Sequence, residues 1–196
     1  MFKTLQPLIL ASRSPRRRLL LRSVGIEFTI EPGIEDEPSL QIVSPAGAAE
    51  KQARHKASHV SSSFPNSWVL GADTIVVLDG QIFGKPSDNS EAGRMLRMLS
   101  GRVHEVITGM CLENAGKSIS RLGSVSTKVR FKPLSSEQIE SYIRTGEPMD
   151  KAGAYGIQGI GAFLVQSIEG SYTNVVGLPL CETVEWLEEE GIIAPG

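Results

Sequence analysis

Cysteine is nearly absent. Cys111 and Cys181 are the only two in 196 residues, and they stand far apart in the chain. No disulfide framework and no zinc-finger spacing can be built from them, so both are expected to be reduced core residues of a cytosolic protein. Histidine is scarce too. His55, His59 and His104 show no ligand spacing with cysteine or with one another, and each is expected to be solvated or internally satisfied. Neither sign of charge dominates: 20 Lys and Arg stand against 22 Asp and Glu, a net charge of −2. That balance argues against a nucleic-acid polymer as partner, since such modules are basic overall. No apolar run reaches membrane-spanning length. The first residues carry one Lys before a short apolar run broken by Ser12 and Arg13, a pattern expected of neither a secretory signal nor a membrane span. Internal repeats, low-complexity tracts, a serine–histidine–acid set and a redox pair are all missing. What remains is an ordinary globular composition, 40% hydrophobic and 21% charged, expected to form one domain over residues 1–196 with a sizeable core.

The chemistry must therefore sit in local clusters. The first is Leu8-Ile9-Leu10-Ala11-Ser12-Arg13-Ser14-Pro15-Arg16-Arg17-Arg18. An apolar run of strand length stops at Ser12. Ser14 is a good N-cap, and Pro15 suits the first helical position, where its missing N–H costs nothing. Leu19, Leu20, Leu21 and Val24 supply an apolar helix face that Gly25 ends. A helix N-terminus offers unpaired N–H groups and a positive dipole end. Arginines in that first turn oppose the dipole, which makes sense if a phosphate sits there. The alternative is a solvated basic face.

Further along, Ser44-Pro45 repeats the cap-and-proline start for a helix from Ala46 to about Ser61 carrying Lys51, Arg54 and Lys56. Trp68–Leu78 is the most apolar strand candidate, continuous rather than alternating, and so expected to be central and buried on both faces. It carries Asp73 beside Thr74. A buried carboxylate is costly and is normally kept where a cation or metal uses it. Asp79-Gly80 marks a hairpin to Gln81–Phe83, and Gly84-Lys85-Pro86 ends it. Helices are expected over Glu91–Leu99 and after the capping box Ser135-x-x-Gln138, with strands over Val103–Leu112, Ile119–Phe131 and Ala162–Ile168. Gly170–Asn174 reads as a turn, and a last amphipathic helix runs from Leu180 to Gly191. Elements mix without strict βαβ alternation, which predicts an α/β or α+β domain with a mixed sheet.

Gly146–Gly161 holds five glycines in sixteen residues. Such a loop must approach something closely or adopt positive φ. It is neither a Walker loop nor a dinucleotide fingerprint. Gln158, set among these glycines, presents both donors and an acceptor, suited to reading a nucleobase edge. A tight structural loop is the plainer alternative. Cations, a buried carboxylate and an acidic loop, Ile34–Glu37, together fit metal-dependent attack of water on a phosphate anhydride.

Four ordered motifs carry a resemblance. Ser12-x-Ser14-Pro15-Arg16-Arg17, Gly71-Ala72-Asp73-Thr74-Ile75-Val76, Gly84-Lys85-Pro86 and Asp150-Lys151-Ala152-Gly153-Ala154-Tyr155-Gly156-Ile157-Gln158-Gly159 together resemble the Maf family of nucleoside triphosphate pyrophosphatases, along nearly the whole chain. The resemblance implies an elongated α/β fold of the inosine-triphosphatase (Ham1) type, a mixed sheet with flanking helices and a cleft between two lobes. It implies a cytoplasmic house-cleaning enzyme that cleaves a nucleotide at its α–β phosphoanhydride bond with a divalent cation, Mg²⁺ or Mn²⁺. A nucleoside triphosphate is then the substrate, with no nucleic-acid polymer or membrane as partner, and a homodimer is compatible with it. By the same resemblance Asp73 is the proton acceptor and a metal ligand, and Lys56 and Lys85 are catalytic. Ser12, Ser14, Arg16 and Arg17 contact phosphate, and Arg16, Thr74 and Gln158 set base preference. Ala-Asp-Thr with Tyr-Gly-Ile-Gln resembles the branch acting on dTTP and UTP. The alternatives are a pyrophosphatase of the same fold for 7-methyl-GTP or other purine nucleotides, and a non-catalytic nucleotide binder. One departure stands out: the family's Ile-Asp-Glu is here Ile34-Glu35-Asp36-Glu37, so the acidic-loop metal ligand is Asp36 or Glu37.

Overall fold

A computed structural model of the chain describes residues 1–33 and 44–196. The acidic-loop candidates Asp36 and Glu37 lie outside the described residues. The chain runs β1 (Phe2–Thr4), β2 (Leu8–Leu10), α1 (Pro15–Ser23), β3 (Thr29–Ile30), α2 (Pro45–Ser63), β4 (Trp68–Leu78), β5 (Gln81–Phe83) and α3 (Asn89–Leu99). It continues through β6 (Val103–Asn114), β7 (Ile119–Phe131), α4 (Ser136–Arg144), β8 (Val165–Glu169), α5 (Tyr172–Val176), α6 (Leu180–Glu189) and β9 (Ile193–Pro195). The sheet order is β3-β2-β4-β6-β7-β8, with β5 also on β4. Strands β3, β2 and β4 are parallel, and the rest are antiparallel. This is the mixed sheet with flanking helices that the element pattern predicts. Three local readings change. The strand expected over Ala162–Ile168 begins only at Val165, because residues 162–164 complete a 3₁₀ helix that starts in the glycine-rich segment at Gly159. Ser171 caps a short helix where a turn was expected. β1 and β9 pair the chain's two ends, too short for any periodicity to reveal.

One edge of β4 decides where the site is. β6 pairs with Val69–Val77 along one side. On the other side β2 pairs with Trp68–Leu70, and β5 with Val76–Leu78. Among the described residues no strand covers Gly71–Ile75 on that side. The gap opens at the carboxyl end of β2, where the direction of pairing switches, which is where open α/β sheets bind ligands.

The packing divides at the same place. Trp68, Leu70 and Ala72 pack with Leu21 of α1 and Leu187 of α6 in one cluster. On the same face Val76 and Leu78 pack with α3 and α4 through Met95, Leu96, Ile139 and Tyr142 in another. Thr74 falls between them, so the cleft between two lobes follows from two cores sharing one strand. α2 covers the opposite face. Its buried stripe is Ala49, Ala53, Ala57 and Val60, nearly side-chain-free at helical spacing. A Cβ built on Gly109 would collide with the Ala49 carbonyl, and one on Gly71 with the Ala53 carbonyl. Small residues on both surfaces let the helix lie directly on the strands.

Of the two cysteines, Cys111 is buried as expected, but Cys181 is exposed. It sits on the solvent side of α6, and the apolar pattern of that helix is satisfied without it. His104 is a satisfied core residue only in part. Its Nε2 lies 2.7 Å from the Tyr155 hydroxyl, and its ring packs edge-on to Phe131 and Tyr155 at 4.9 and 5.3 Å between centroids. Its Nδ1 has no hydrogen-bond partner among the described residues. Burial pulls the imidazole down to about 4. Between that value and an unfolded histidine's ~6.5, the unfolded chain binds the extra proton, so stability falls as pH drops, by up to about 1.4 kcal/mol per pH unit from this residue. His104→Gln, which keeps a partner for Tyr155, is therefore expected to lose less melting temperature than the parent between about pH 7 and pH 5. Thermal melts at the two pH values check this, and equal losses would contradict it.

Candidate active site

The gap in β4 opens into a cavity of about 690 Å³. Ser12, Ser14, Arg16, Arg17, Lys56, Asp73, Thr74, Lys85 and Gln158 all line it. Every site residue expected from the sequence that falls among the described residues is brought to this one place.

The floor comes from β4. Asp73 points to the α2 side and Thr74 to the other, as strand alternation requires. Asp73 is not sealed in the core, as the apolar run around it suggests. Its side chain is 17% exposed, because the missing neighbour strand leaves it facing the cavity. Lys56 of α2, equally exposed, donates to Asp73 Oδ1 at 2.5 Å. That reach depends on how close α2 lies. Gly109 is the cross-strand partner of Asp73, and Gly71 precedes it by two on the same face. The two glycines that admit α2 thus flank the carboxylate.

The first wall is the start of α1. The Ser14 side chain accepts from the Arg17 backbone N–H at 3.4 Å, the predicted cap. Ser12 Oγ accepts from the Ser14 N–H at 3.2 Å and from Arg17 Nη1 at 3.1 Å. No acidic residue occupies the helix's first turn. The two arginines differ sharply. Arg17 is buried, and besides Ser12 it donates to the Gly177 carbonyl at 2.7 Å and to Thr74 Oγ1 at 3.0 Å. Thr74 Oγ1 in turn lies 2.9 Å from Thr108 Oγ1. Burial lowers the Arg17 guanidinium's pKa from its ordinary value, Asp73 opposes that shift, and Arg16 adds to it. Arg17 is thus a fixed strut between α1, β4 and the residue before Leu178. Arg16 reaches across the cavity instead, donating to Asp150 Oδ2 at 3.0 Å.

The far wall is the glycine-rich segment, which forms three short 3₁₀ turns, Glu147–Asp150, Ala152–Ala154 and Gly159–Leu164. The Gly153 N–H donates to the Gly84 carbonyl at 3.0 Å, joining this wall to the exposed turn that carries Lys85. Lys151 Nζ donates to the Glu147 carbonyl and to Asp150 Oδ1, both at 2.6 Å. Desolvation raises the Asp150 carboxyl, but Lys151 and Arg16 outweigh it and hold the group below its usual range. Gln158 is exposed at the rim, beyond the three buried residues Gly153, Ala154 and Tyr155. Sequence reasoning assigned no role to Asp150, Lys151 or Glu147. The available signal was a run of charged residues at the entry to a glycine loop, which by itself reads as solvated surface.

Among the described residues no three histidines, cysteines or carboxylates gather into a metal-ligand set. Asp73 and Asp150 are the carboxylates of the described lining. The family model described as Maf-like protein matches residues 7–190. The chain belongs to the Maf family. Among curated Maf relatives it is 54% identical over 187 residues to a dTTP/UTP pyrophosphatase of Symbiobacterium thermophilum, covering 95% of each chain. It is 50% identical over 186 residues to a protein of the same name from Geobacter metallireducens, covering 95% of this chain and 97% of that one. A third relative so named, from Desulfotalea psychrophila, is 45% identical over 194 residues and covered in full. Among solved structures the chain is similar to the Ham1 protein of Staphylococcus aureus at 11% identity and a TM-score of 0.49, covering 82% of this chain and 80% of that one. Within the described residues of this Maf-family chain, no helix is long and apolar enough to cross a membrane.

Proposed function

We propose that this chain hydrolyses dTTP and UTP at the α–β phosphoanhydride bond, giving the nucleoside monophosphate and pyrophosphate. The observation that carries the reading is Asp73. It is a cavity-facing carboxylate at a gap in the sheet, salt-bridged to Lys56 and sharing the cavity lining with Arg16 and Arg17 of α1 and Lys85 of the turn after β5. A site that only held an anion would gain nothing from that negative charge. Relatives of about half-identical sequence that carry this activity in their names add to it.

The division of labour follows from position. The Asp73 carboxylate accepts a proton from the attacking water. The water oxygen bonds to the α-phosphorus, and the bond from that phosphorus to the bridging oxygen breaks. Pyrophosphate leaves with the electron pair. Phosphoryl transfer asks mainly for positioning and charge neutralisation. Arg16, Lys56 and Lys85 supply mobile or partly exposed cations, while Arg17 holds Ser12 and Thr74 in place. A divalent cation fits this donor set, since Mg²⁺ is commonly bound through one or two carboxylates plus substrate phosphates. Asp73 would hold it, with Asp36 or Glu37 from the acidic loop, and it would neutralise charge on the phosphate oxygens. The Gln158 amide and the Arg16 and Thr74 side chains select the base.

A panel of nucleoside triphosphates tests this. Purified protein with Mg²⁺ or Mn²⁺ is expected to release pyrophosphate from dTTP and UTP at kcat/KM at least ~10-fold above that for GTP, 7-methyl-GTP, ITP and CTP, and to stop when the cation is chelated. Preference for a purine nucleotide, or binding without pyrophosphate release, would overturn it.

A further inference from the structure

We infer that Glu147 is a positioning residue for base selection, because its carboxylate, tied to Tyr142, clamps the glycine loop on both sides of Gln158. The inference rests on the proposed function and adds a residue to it. Glu147 does not line the cavity. Its Oε1 accepts from the Gly161 N–H at 2.9 Å and from the Tyr142 hydroxyl at 2.9 Å, and its Oε2 accepts from the Ile160 N–H at 3.0 Å. These backbone contacts fall two and three residues after Gln158. Two residues before it, the Gly156 N–H donates to the same Tyr142 hydroxyl at 3.3 Å. One carboxylate and one phenol therefore bracket Gln158 from both directions. Desolvation raises the Glu147 carboxyl, but the two amides, Tyr142 and Lys151 outweigh it and hold the group below its usual range.

The glycines of this loop fit the clamp. Gly159 holds φ at +69°, and a Cβ there would lie 2.8 Å from Glu147 Oε2. A Cβ on Gly161 would collide with the Tyr142 hydroxyl. Gly159 and Gly161 have no room for side chains because their backbone is drawn onto the carboxylate and the phenol. The loop's own packing would not hold Gln158: Gly159 and Ile160 are exposed, and the Gln158 amide makes no hydrogen bond within the described residues.

The chemistry of the base makes position matter. Thymine and uracil present an acceptor and an N–H donor where cytosine presents a donor and an acceptor. A primary amide carries both functions and can rotate, so an amide free to move serves either edge. Discrimination needs the backbone beneath it to be held. Only the groups that differ between bases are affected; the phosphates are gripped by other segments.

The experiment is steady-state kinetics of the full chain with dTTP, UTP, CTP and GTP for the parent, Glu147→Gln, Gln158→Ala and the double variant. Glu147→Gln is expected to lower the ratio of kcat/KM for UTP over CTP by ~10-fold, mainly through KM, with kcat for UTP within ~3-fold of the parent. The double variant is expected to lose no more selectivity than Gln158→Ala alone, the sign of two residues acting through one another. An equal fall of kcat/KM for every nucleotide in Glu147→Gln, or an unchanged ratio, overturns the inference. If Glu147→Gln does not fold, Tyr142→Phe, which removes the phenol link and keeps the ring, is read by the same ratio, and an unchanged ratio there overturns it. A parent that does not prefer pyrimidine nucleotides defeats the proposed function itself and is seen before any variant is made.

Discussion

Asp73→Asn is expected to lower kcat for dTTP by ~10²–10⁴-fold, the range for loss of a group that takes a proton in the reaction. The amide keeps the size of the carboxylate and one oxygen to accept from Lys56, so the side chain still fits between α2 and the cavity. What is lost is the proton acceptor and the one negative charge at the gap in β4. The fold should survive. Both partners of the Lys56–Asp73 pair are 17% exposed and face the cavity, so Lys56 left with a neutral partner is still reached by water. Removing one partner of a fully buried pair costs ~3–5 kcal/mol; this partly solvated pair should cost less, and the melting temperature should drop by no more than about 5 °C. Substrate binding in the presence of the divalent cation should weaken, because Asp73 is also the residue proposed to hold that cation. A variant with normal kcat, or one whose loss is explained by unfolding, would contradict the role given to Asp73.

The second large effect is on stability and comes from a residue with no side chain. Gly109→Ala is expected to lower the melting temperature by ~6–12 °C, taking ~3 kcal/mol for overpacking against rigid backbone and ~2–4 °C per kcal/mol for a protein of this size. The new Cβ would fall on the Ala49 carbonyl and the Glu50 N–H of α2. Neither is the end of a flexible side chain, so the helix itself must lift. Lifting it opens the layer of Ala49, Ala53 and Ala57 and withdraws Lys56 from Asp73, the residue paired with Gly109 across the strands. Activity should therefore fall even in the protein that remains folded. Gly84→Ala is the control: a Cβ there meets nothing within 4 Å. Thermal melts of the two variants beside the parent decide it. A Gly109→Ala protein melting within about 2 °C of the parent would mean that α2 does not sit where the close approach requires.

Much of the site was legible because each part carries its own local signal. Ser14 and Pro15 mark a helix start whatever surrounds them. Asp73 is conspicuous in an apolar strand, and the glycines around Gln158 announce unusual backbone. What stayed hidden depends on pairing. The gap in β4 exists because β2 and β5 each cover only three residues of its edge, and no local pattern says where a neighbouring strand stops. The same blindness made Asp73 look buried and made Arg16 and Arg17 look alike. One touches Asp150 across the cavity, while the other is spent on Ser12, Thr74 and Gly177. Their difference is set by contacts 134 and 160 residues away. Gly71 and Gly109 were unremarkable in sequence for a similar reason: the helix that needs them lies elsewhere in the chain. Glu147 belongs to this group as well, since its partners are a helix tyrosine before it and two loop amides after it.

On the proposed function, the cavity at the β4 gap directs water to the α-phosphorus of a pyrimidine nucleoside triphosphate. Turnover of dTTP in water carrying the heavy oxygen isotope, with both products analysed by mass spectrometry, tests it most directly. One heavy oxygen is expected in each thymidine monophosphate and none in pyrophosphate. Heavy oxygen in pyrophosphate, or release of thymidine diphosphate and orthophosphate, would contradict it.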